Sequence, residues 1–492
     1  MTWHRHTASP VACLATGILL SHASFAGNWT TEAGLAVGGI YSDNICLEQN
    51  SPEERWVGTT TPDIRVTGDG TRANMDLFAS LEFNTLSNSS LDCVGGQLGF
   101  GDKESPAPRL RFEGDSILVE DWLFLDASAF IDQNKINAFG VGGANNINGT
   151  GNTNTSYFYR ISPYIDRRLG DSSQFTLRYT YDEQYNSETL VEDSKGQLVT
   201  VDIGTDPELA RFSIGVTGSY SKVEYDESFG QNTVNSELSS TQIRSAFQMN
   251  SQWQLNAYVG EEWNDFISTF EDTEGHFWDV GILWTPNARV SLAIGTGERF
   301  FGSTPRFDFE YRHKRSNMRA SYARNLTYDR NLRGTDQFTT DVDSSFDDGQ
   351  VLAGAPTTFT NSPLLDERFT LVYTYTGRRT TVNLSTSHSE QTRSADGFKD
   401  TFISMGLLLN RRLSRNLSFN SSLLWEDRQA DEERDTVSAR DSNTWLILLG
   451  LQQNLSLNTS LSLNYQYSDR NSESITDEYE ESRLSLSLRY QF

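Results

Sequence analysis

The chain ends on Arg483-Leu484-Ser485-Leu486-Ser487-Leu488-Arg489-Tyr490-Gln491-Phe492, where polar and apolar residues alternate without a break. Successive side chains of a β-strand point to opposite faces, so alternation of period two builds one polar and one apolar face. The pattern recurs towards the N-terminus. Phe175, Leu177, Tyr179 and Tyr181 alternate with Thr176, Arg178 and Thr180, and Phe212, Ile214 and Val216 with Ser213, Gly215 and Thr217. Phe307, Phe309 and Tyr311 alternate with Asp308, Glu310 and Arg312, and Leu455, Leu457, Leu461 and Leu463 face away from Ser456, Asn458, Ser460, Ser462 and Asn464. Alternation hides apolar surface from averages: mean hydropathy is −0.51, and only 36% of residues are hydrophobic. No window approaches the ~20 consecutive apolar residues of a membrane helix. A 12% aromatic share is too high for a disordered chain.

In a soluble sandwich each apolar face must meet a second one, whereas in an outer-membrane barrel it meets lipid while the polar face meets water. Phe492, with Tyr490 before it, resembles the signal by which the barrel-assembly machinery recognises bacterial outer-membrane barrels for insertion. Short connections fall at 68–71, 115–121, 167–173, 205–210, 250–252, 285–289, 313–317, 377–380, 410–416 and 452–454. Longer ones lie between them, including 131–155, 221–240, 329–367 and 427–442. Outer-membrane barrels have short periplasmic turns, longer outer loops and an even strand number. The expectation is a single transmembrane outer-membrane β-barrel, all-β, antiparallel and up-and-down, of about 22 strands (range about 16–24), with no plug domain. Supply agrees, at about 21 residues per strand and connection against about ten for a spanning strand. The weakly alternating segments 57–66 and 198–203 leave the count open.

Residues 1–26 read as a signal peptide: Arg5 with His4 and His6, an apolar core over 12–20, and Ser24-Phe25-Ala26 as a small-x-small cleavage site. Cys13 stands at the start of that core with most of it following, the wrong order for a lipoprotein. Residues 27–492 form the barrel, and its two cysteines, Cys46 and Cys93, have left the reducing cytosol. They fall in neighbouring outer loops, so a disulfide is expected. The charge of −26, from 40 basic against 66 acidic residues, makes a nucleic-acid partner improbable. Short turns carry Arg167-Arg168, His313-Lys314-Arg315, Arg378-Arg379 and Arg411-Arg412; the opposite connections carry Asp347-Asp348, Asp431-Glu432-Glu433 and Glu480-Glu481. Acidic outer loops either bind divalent cations that bridge lipopolysaccharide phosphates or simply keep the surface soluble.

Catalytic constellations are missing. Beyond the leader only His276, His313 and His388 remain, and no G-x-S-x-G, H-E-x-x-H or phosphate-binding loop appears. His388 among Ser385, Ser387 and Ser389 is formally a base beside nucleophiles, but a strand-end histidine in a Ser-rich chain is the simpler reading. No catalytic residue, metal ligand set or cofactor is expected. The polar phase of the strands is mainly Ser, Thr, Asn and Gln, with charges at Arg178, Arg244, Asp308, Glu310, Arg319 and Arg489 as lumen candidates. Hydroxyls and amides donate and accept, which suits a sugar, though any water-filled pore needs a polar lining. Inward arginine is used either for a carboxylate ligand or, more commonly, in a structural ion pair.

Several stretches resemble a known family. Phe277-Trp278-Asp279-Val280-Gly281-Ile282-Leu283-Trp284-Thr285-Pro286-Asn287-Ala288-Arg289 runs into Gly297-Glu298-Arg299-Phe300-Phe301-Gly302. Arg315-Ser316-Asn317 and Ser321-Tyr322-Ala323-Arg324 follow, and Tyr41-Ser42-Asp43-Asn44-Ile45 lies near the start of the barrel. Together they resemble the PEP-CTERM-system-associated outer-membrane β-barrel proteins, encoded beside exopolysaccharide and exosortase genes in Gram-negative bacteria. The resemblance implies an outer-membrane barrel in lipid and lipopolysaccharide, linked to polysaccharide export components. Cys46 and Cys93 are not part of it. The function expected is a pore for export or passage of polysaccharide or other polar solutes. The alternative is a structural or docking barrel anchoring acidic loops, and a lipid-active enzyme is the least supported.

A barrel this wide needs its lumen narrowed, because 16–18 strands already leave an aqueous channel. The longest connection, 329–367, is expected to fold inward, carrying Phe338, Phe346, Val351, Leu352 and Phe359 beside Asp341 and Asp343. The loop 131–155 is the next candidate. In a background without native cysteines, cysteines at Ser173 and Asn317 are expected to resist a membrane-impermeant thiol reagent on whole cells. Those at Asp348 and Glu432 should label, and the reverse pattern would invert the topology.

Overall fold

A computed structural model describes residues 27–86, 93, 106–142, 147–148, 150–188, 191–205, 211–226, 235–330, 360–431, 441–473 and 475–492. The signal-peptide assignment of residues 1–26 and the apolar residues Phe338 to Phe359 lie outside them. The strands run β1 Gly27–Ser42, β2 Arg55–Gly70, β3 Ala73–Leu86, β4 Ala107–Val119, β5 Leu123–Lys135, β6 Thr153–Leu169, β7 Ser173–Asn186 and β8 Ser194–Thr205. They continue as β9 Phe212–Tyr225, β10 Asn235–Gln248, β11 Trp253–Asp265, β12 Gly275–Asn287, β13 Val290–Arg299, β14 Gly302–Ser303, β15 Arg306–His313 and β16 Ser316–Thr327. The last are β17 Leu364–Thr376, β18 Thr380–Arg393, β19 Lys399–Arg412, β20 Leu417–Gln429, β21 Ser442–Asn454, β22 Thr459–Ser472 and β23 Tyr479–Gln491.

All 23 belong to one sheet, and each pairs antiparallel with its sequence neighbour. β14 pairs with the outer end of β13, and β15 pairs with the rest of it, so β14 and β15 share one stave and the wall has 22. Gly302, at φ 104°, supplies the left-handed backbone that this tight return requires. The sheet closes on itself: Gly34 pairs with Gln491 and Ser42 with Arg483. Phe492 adds one more bond, its N–H donating to the Ala33 carbonyl at 2.8 Å. The strand ends joined by short turns lie at the end of the barrel that holds Gly27 and Phe492, and the long connections lie at the other. The weakly alternating segments 57–66 and 198–203 fall inside full staves, β2 and β8.

The alternation separates two environments. On β23, Leu484, Leu486, Leu488 and Tyr490 are 45–52% exposed while Arg483 is 3% exposed. Apolar side chains on the outside and charges on the inside invert a soluble protein and fit a wall bathed in lipid. The expected fold without a plug needs correction in its interior. No separate domain stands within the barrel among the described residues, but connections from the outer end turn inward and occupy the mouth. The sequence reading expected one long connection, 329–367, to fold inward with 131–155 as the next candidate, and a wide polar lumen offers several connections hydrogen-bond partners there.

Face assignment is testable on one strand. Leu486→Arg, on the lipid side of β23, should cost about 2–4 kcal/mol in reversible unfolding from lipid vesicles, and Ser487→Arg much less. Equal costs would show that the faces are reversed.

Candidate functional site: a polar lumen with a folded mouth

Every charged lumen candidate sits on the inner face with an opposite charge. Arg178 on β7 meets Asp126 on β5 at 2.6 Å, and its guanidinium lies 3.9 Å from the Tyr164 ring centroid. Arg244 on β10 meets Asp202 on β8 at 2.5 Å. Asp308 and Arg319 approach to 3.4 Å, Glu310 pairs with Arg312 at 2.7 Å, and Arg489 reaches across the seam to Asp63 at 2.6 Å. Between these pairs run hydroxyl contacts across neighbouring strands. Ser162 meets Thr180 at 2.8 Å, Ser219 meets Ser240 at 2.8 Å, Ser321 meets Thr370 at 2.7 Å and Ser387 meets Ser404 at 2.6 Å.

Tyr490 and Phe492 lie outside, their rings 5.0 Å apart and edge to face. Cys46 and Cys93 are joined, with Cα atoms 5.3 Å apart. Ser387 and Ser389 are buried on the inner face, and period-two geometry puts His388 between them on the other, so no base–nucleophile pair forms there. Among the described residues no three His, Cys, Asp or Glu side chains gather as a metal site.

Sequence reasoning missed the residues that fold the mouth. The connection between β5 and β6 is braced at its base by Asn152, which accepts the Asn137 N–H at 2.7 Å and donates to the Asn137 carbonyl at 2.9 Å. Beyond that brace the loop crosses the seam side of the mouth. Phe139, 2% exposed, packs on Phe402 of β19 with ring centroids 5.7 Å apart. Arg470 of β22 donates to the Phe139 carbonyl at 2.6 Å, and Arg428 of β20 to the Ala138 carbonyl. Further along, Asn148 donates to Glu481 at 3.1 Å and accepts from Arg483 at 2.8 Å. Ile147 joins a cluster with Ile40, Ile45, Cys46 and Val57, against which Cys93 packs. The disulfide therefore borders the anchor of this loop.

Two other connections also cross. The one after β16 brings Tyr328 onto Val223 and Tyr225 of β9, and Arg330 into an ion pair with Asp182 of β7. Burial pushes the Tyr328 phenol above its ordinary range, so it stays a neutral hydroxyl. Burial also raises the Glu192 carboxyl nearby, against a hydrogen bond from Asn361 that lowers it. The β11–β12 connection is tied to the β18–β19 turn, the Thr269 N–H donating to the Ser394 carbonyl at 2.7 Å. The length of 329–367 pointed to the right connection only at its root, and its residues 331–359 lie outside those described. Among the described residues, the connection that reaches furthest round the seam side is the Asn/Gly-rich one between β5 and β6. Its one signal was an apolar Phe139 in a polar run.

No protein-family model and no curated protein matches the chain. Solved structures do. A ferric enterobactin receptor variant from Pseudomonas aeruginosa, in complex with enterobactin, superposes with a TM-score of 0.51 at 11% identity, over 95% of this chain and 82% of that one. A siderophore receptor from Acinetobacter baumannii gives 0.50 at 10%, over 94% and 81%, and an iron transporter from Neisseria meningitidis 0.51 at 9%, over 94% and 82%. At such identities the likeness is one of fold. This chain is a closed 22-stranded antiparallel barrel of the Gram-negative outer membrane. The likeness also overturns the plug-free class expected from sequence, because 22-stranded outer-membrane transporters are those with a plugged lumen. The expectation counted residues for strands and loops, and that arithmetic is blind to the class of barrel that the wall belongs to.

Replacing residues 138–148 by a short glycine-serine link should raise single-channel conductance and sensitivity to large antibiotics several-fold, while the barrel still migrates as a folded, heat-modifiable species. Unchanged conductance in a correctly inserted variant would show that this loop does not restrict the lumen.

Proposed function

We propose that the barrel is a conduit for neutral, hydroxyl-rich solutes, polysaccharide foremost, and that it serves the exopolysaccharide and PEP-CTERM system that its sequence resembles. The observation that carries this reading is the inner face. Its charges cancel in local pairs, so the lumen lacks the single-sign field that gathers ions. What a solute meets between the pairs is hydroxyl and amide, groups that donate and accept, as sugar hydroxyls do. The folded mouth supplies the narrowing that such a wide wall needs.

The superposed structures are siderophore receptors and an iron transporter. Uptake of an iron chelate is thus a second reading, favoured by the likeness of the wall alone. Docking of surface polymer without transport is a third, favoured by the acidic outer connections.

Swelling of liposomes that hold the purified protein separates them. Neutral sugars of graded size should enter at rates that fall with size, and glucose should enter faster than glucuronate. A folded barrel that passes no sugar, even with residues 138–148 replaced, would leave the docking reading. Iron-starved growth that depends on the protein would favour the chelate.

A further inference from the structure

Within the lumen, the wall formed by β2 to β9 bounds a cavity of about 790 Å³, and Tyr328 and Arg330 border it from the β16–β17 connection. This lies in the range of small-molecule sites, about 300–1,000 Å³. Arg330 is 4% exposed; one side of its guanidinium holds Asp182, and Nη1 has no partner. The Tyr328 hydroxyl, on a residue 3% exposed, has none either, and nor does Nε of Arg160, a third lining residue. Buried donors left unmade are costly, and native chains keep them where something else completes them.

The remaining lining says what that something is. Asp76, Glu113, Asp115, Asp126 and Asp182 stand against Arg160, Arg178 and Arg330, and Arg65 and Arg111 pair with Asp76 and Glu113 from beside the cavity, so carboxylates and guanidiniums balance and no net charge draws an anion. Ser128, Ser162 and Ser221 add groups that both donate and accept, and Leu198 and Val223 give apolar patches. Neutral sugars match this mixture: hydroxyls round the ring edge and C–H groups on its faces.

We propose that this cavity is a saccharide subsite inside the barrel, taking a short neutral oligosaccharide or a segment of a neutral polysaccharide. Its hydroxyls accept from Arg330 Nη1, exchange a hydrogen bond with Tyr328 and donate to the carboxylates of β3 to β5. The inference rests on the conduit reading and gives it a point of recognition.

The test uses the full-length barrel in planar bilayers and by titration calorimetry, with maltotriose, cellotriose and the trimer of N-acetylglucosamine as neutral probes and trigalacturonate as the charged one. At least one neutral trimer should block the ionic current saturably, and trigalacturonate should be at least about tenfold weaker. Tyr328→Phe removes only an unpartnered hydroxyl, so the barrel should be as stable as before or more so, while the half-blocking concentration rises about fivefold, the worth of one hydrogen bond. Arg330→Gln should weaken block further. Unaltered block in both variants, stronger block by trigalacturonate, or no saturable block or binding by any neutral trimer would overturn the subsite. A barrel that passes sugars in swelling yet shows no saturation loses the subsite and keeps the conduit. One that binds a trimer saturably, weakened in Tyr328→Phe, but passes none keeps the subsite and loses the conduit.

Discussion

The hydrocarbon of a membrane offers no partner to a peptide N–H or C=O, and everything else in this protein follows from meeting that demand. A sheet in lipid cannot have an edge. The pairing of β1 with β23, from Gly34 with Gln491 to Ser42 with Arg483, removes the only two that the wall would have. Closure then fixes an inside and an outside, and alternation along each strand sorts the side chains between them. The leucines of β23 face lipid because its arginines and serines face the lumen. Neither choice was open once the register was set.

Inside, the problem reverses. Charged groups in a partly enclosed lumen lose part of their water, and pairing is what makes them tolerable. The ion pairs commonly join strands next to each other or one apart, as Arg178 does with Asp126, Arg306 with Asp279 and Arg299 with Glu262. They brace the wall from within while leaving it electrically quiet. The chain's net charge of −26 is therefore a poor guide to what its lumen presents.

The wall was legible in the sequence because period two is a property of neighbours along the chain. Leu484 to Tyr490 announces its face without reference to anything distant. The lumen charges were legible as residues but not as pairs: nothing in the sequence links Arg489 to Asp63, which meet only because the sheet closes. The interior was the least legible. Phe139 reads as a stray aromatic until Phe402, Arg428 and Arg470 arrive from the far side of the seam. Length drew attention to 329–367, but length measures how far a connection can reach and not where its hydrogen bonds will be met, and only the ends of that connection lie among the described residues. The plug-free class failed for a related reason, since the class of a barrel is set by the whole wall.

The disulfide between Cys46 and Cys93 gives the mouth a fastening of its own. It ties the connection after β1 to the one after β3, and both pack around Ile147 of the connection after β5. The wall is held by backbone bonds and ion pairs and needs no oxidant. The mouth is a three-part knot, one strand of which is covalent and forms only where thiols are oxidised. Two events of different chemistry thus complete the molecule: hydrogen bonding closes the wall to lipid, and oxidation of two thiols fastens the mouth.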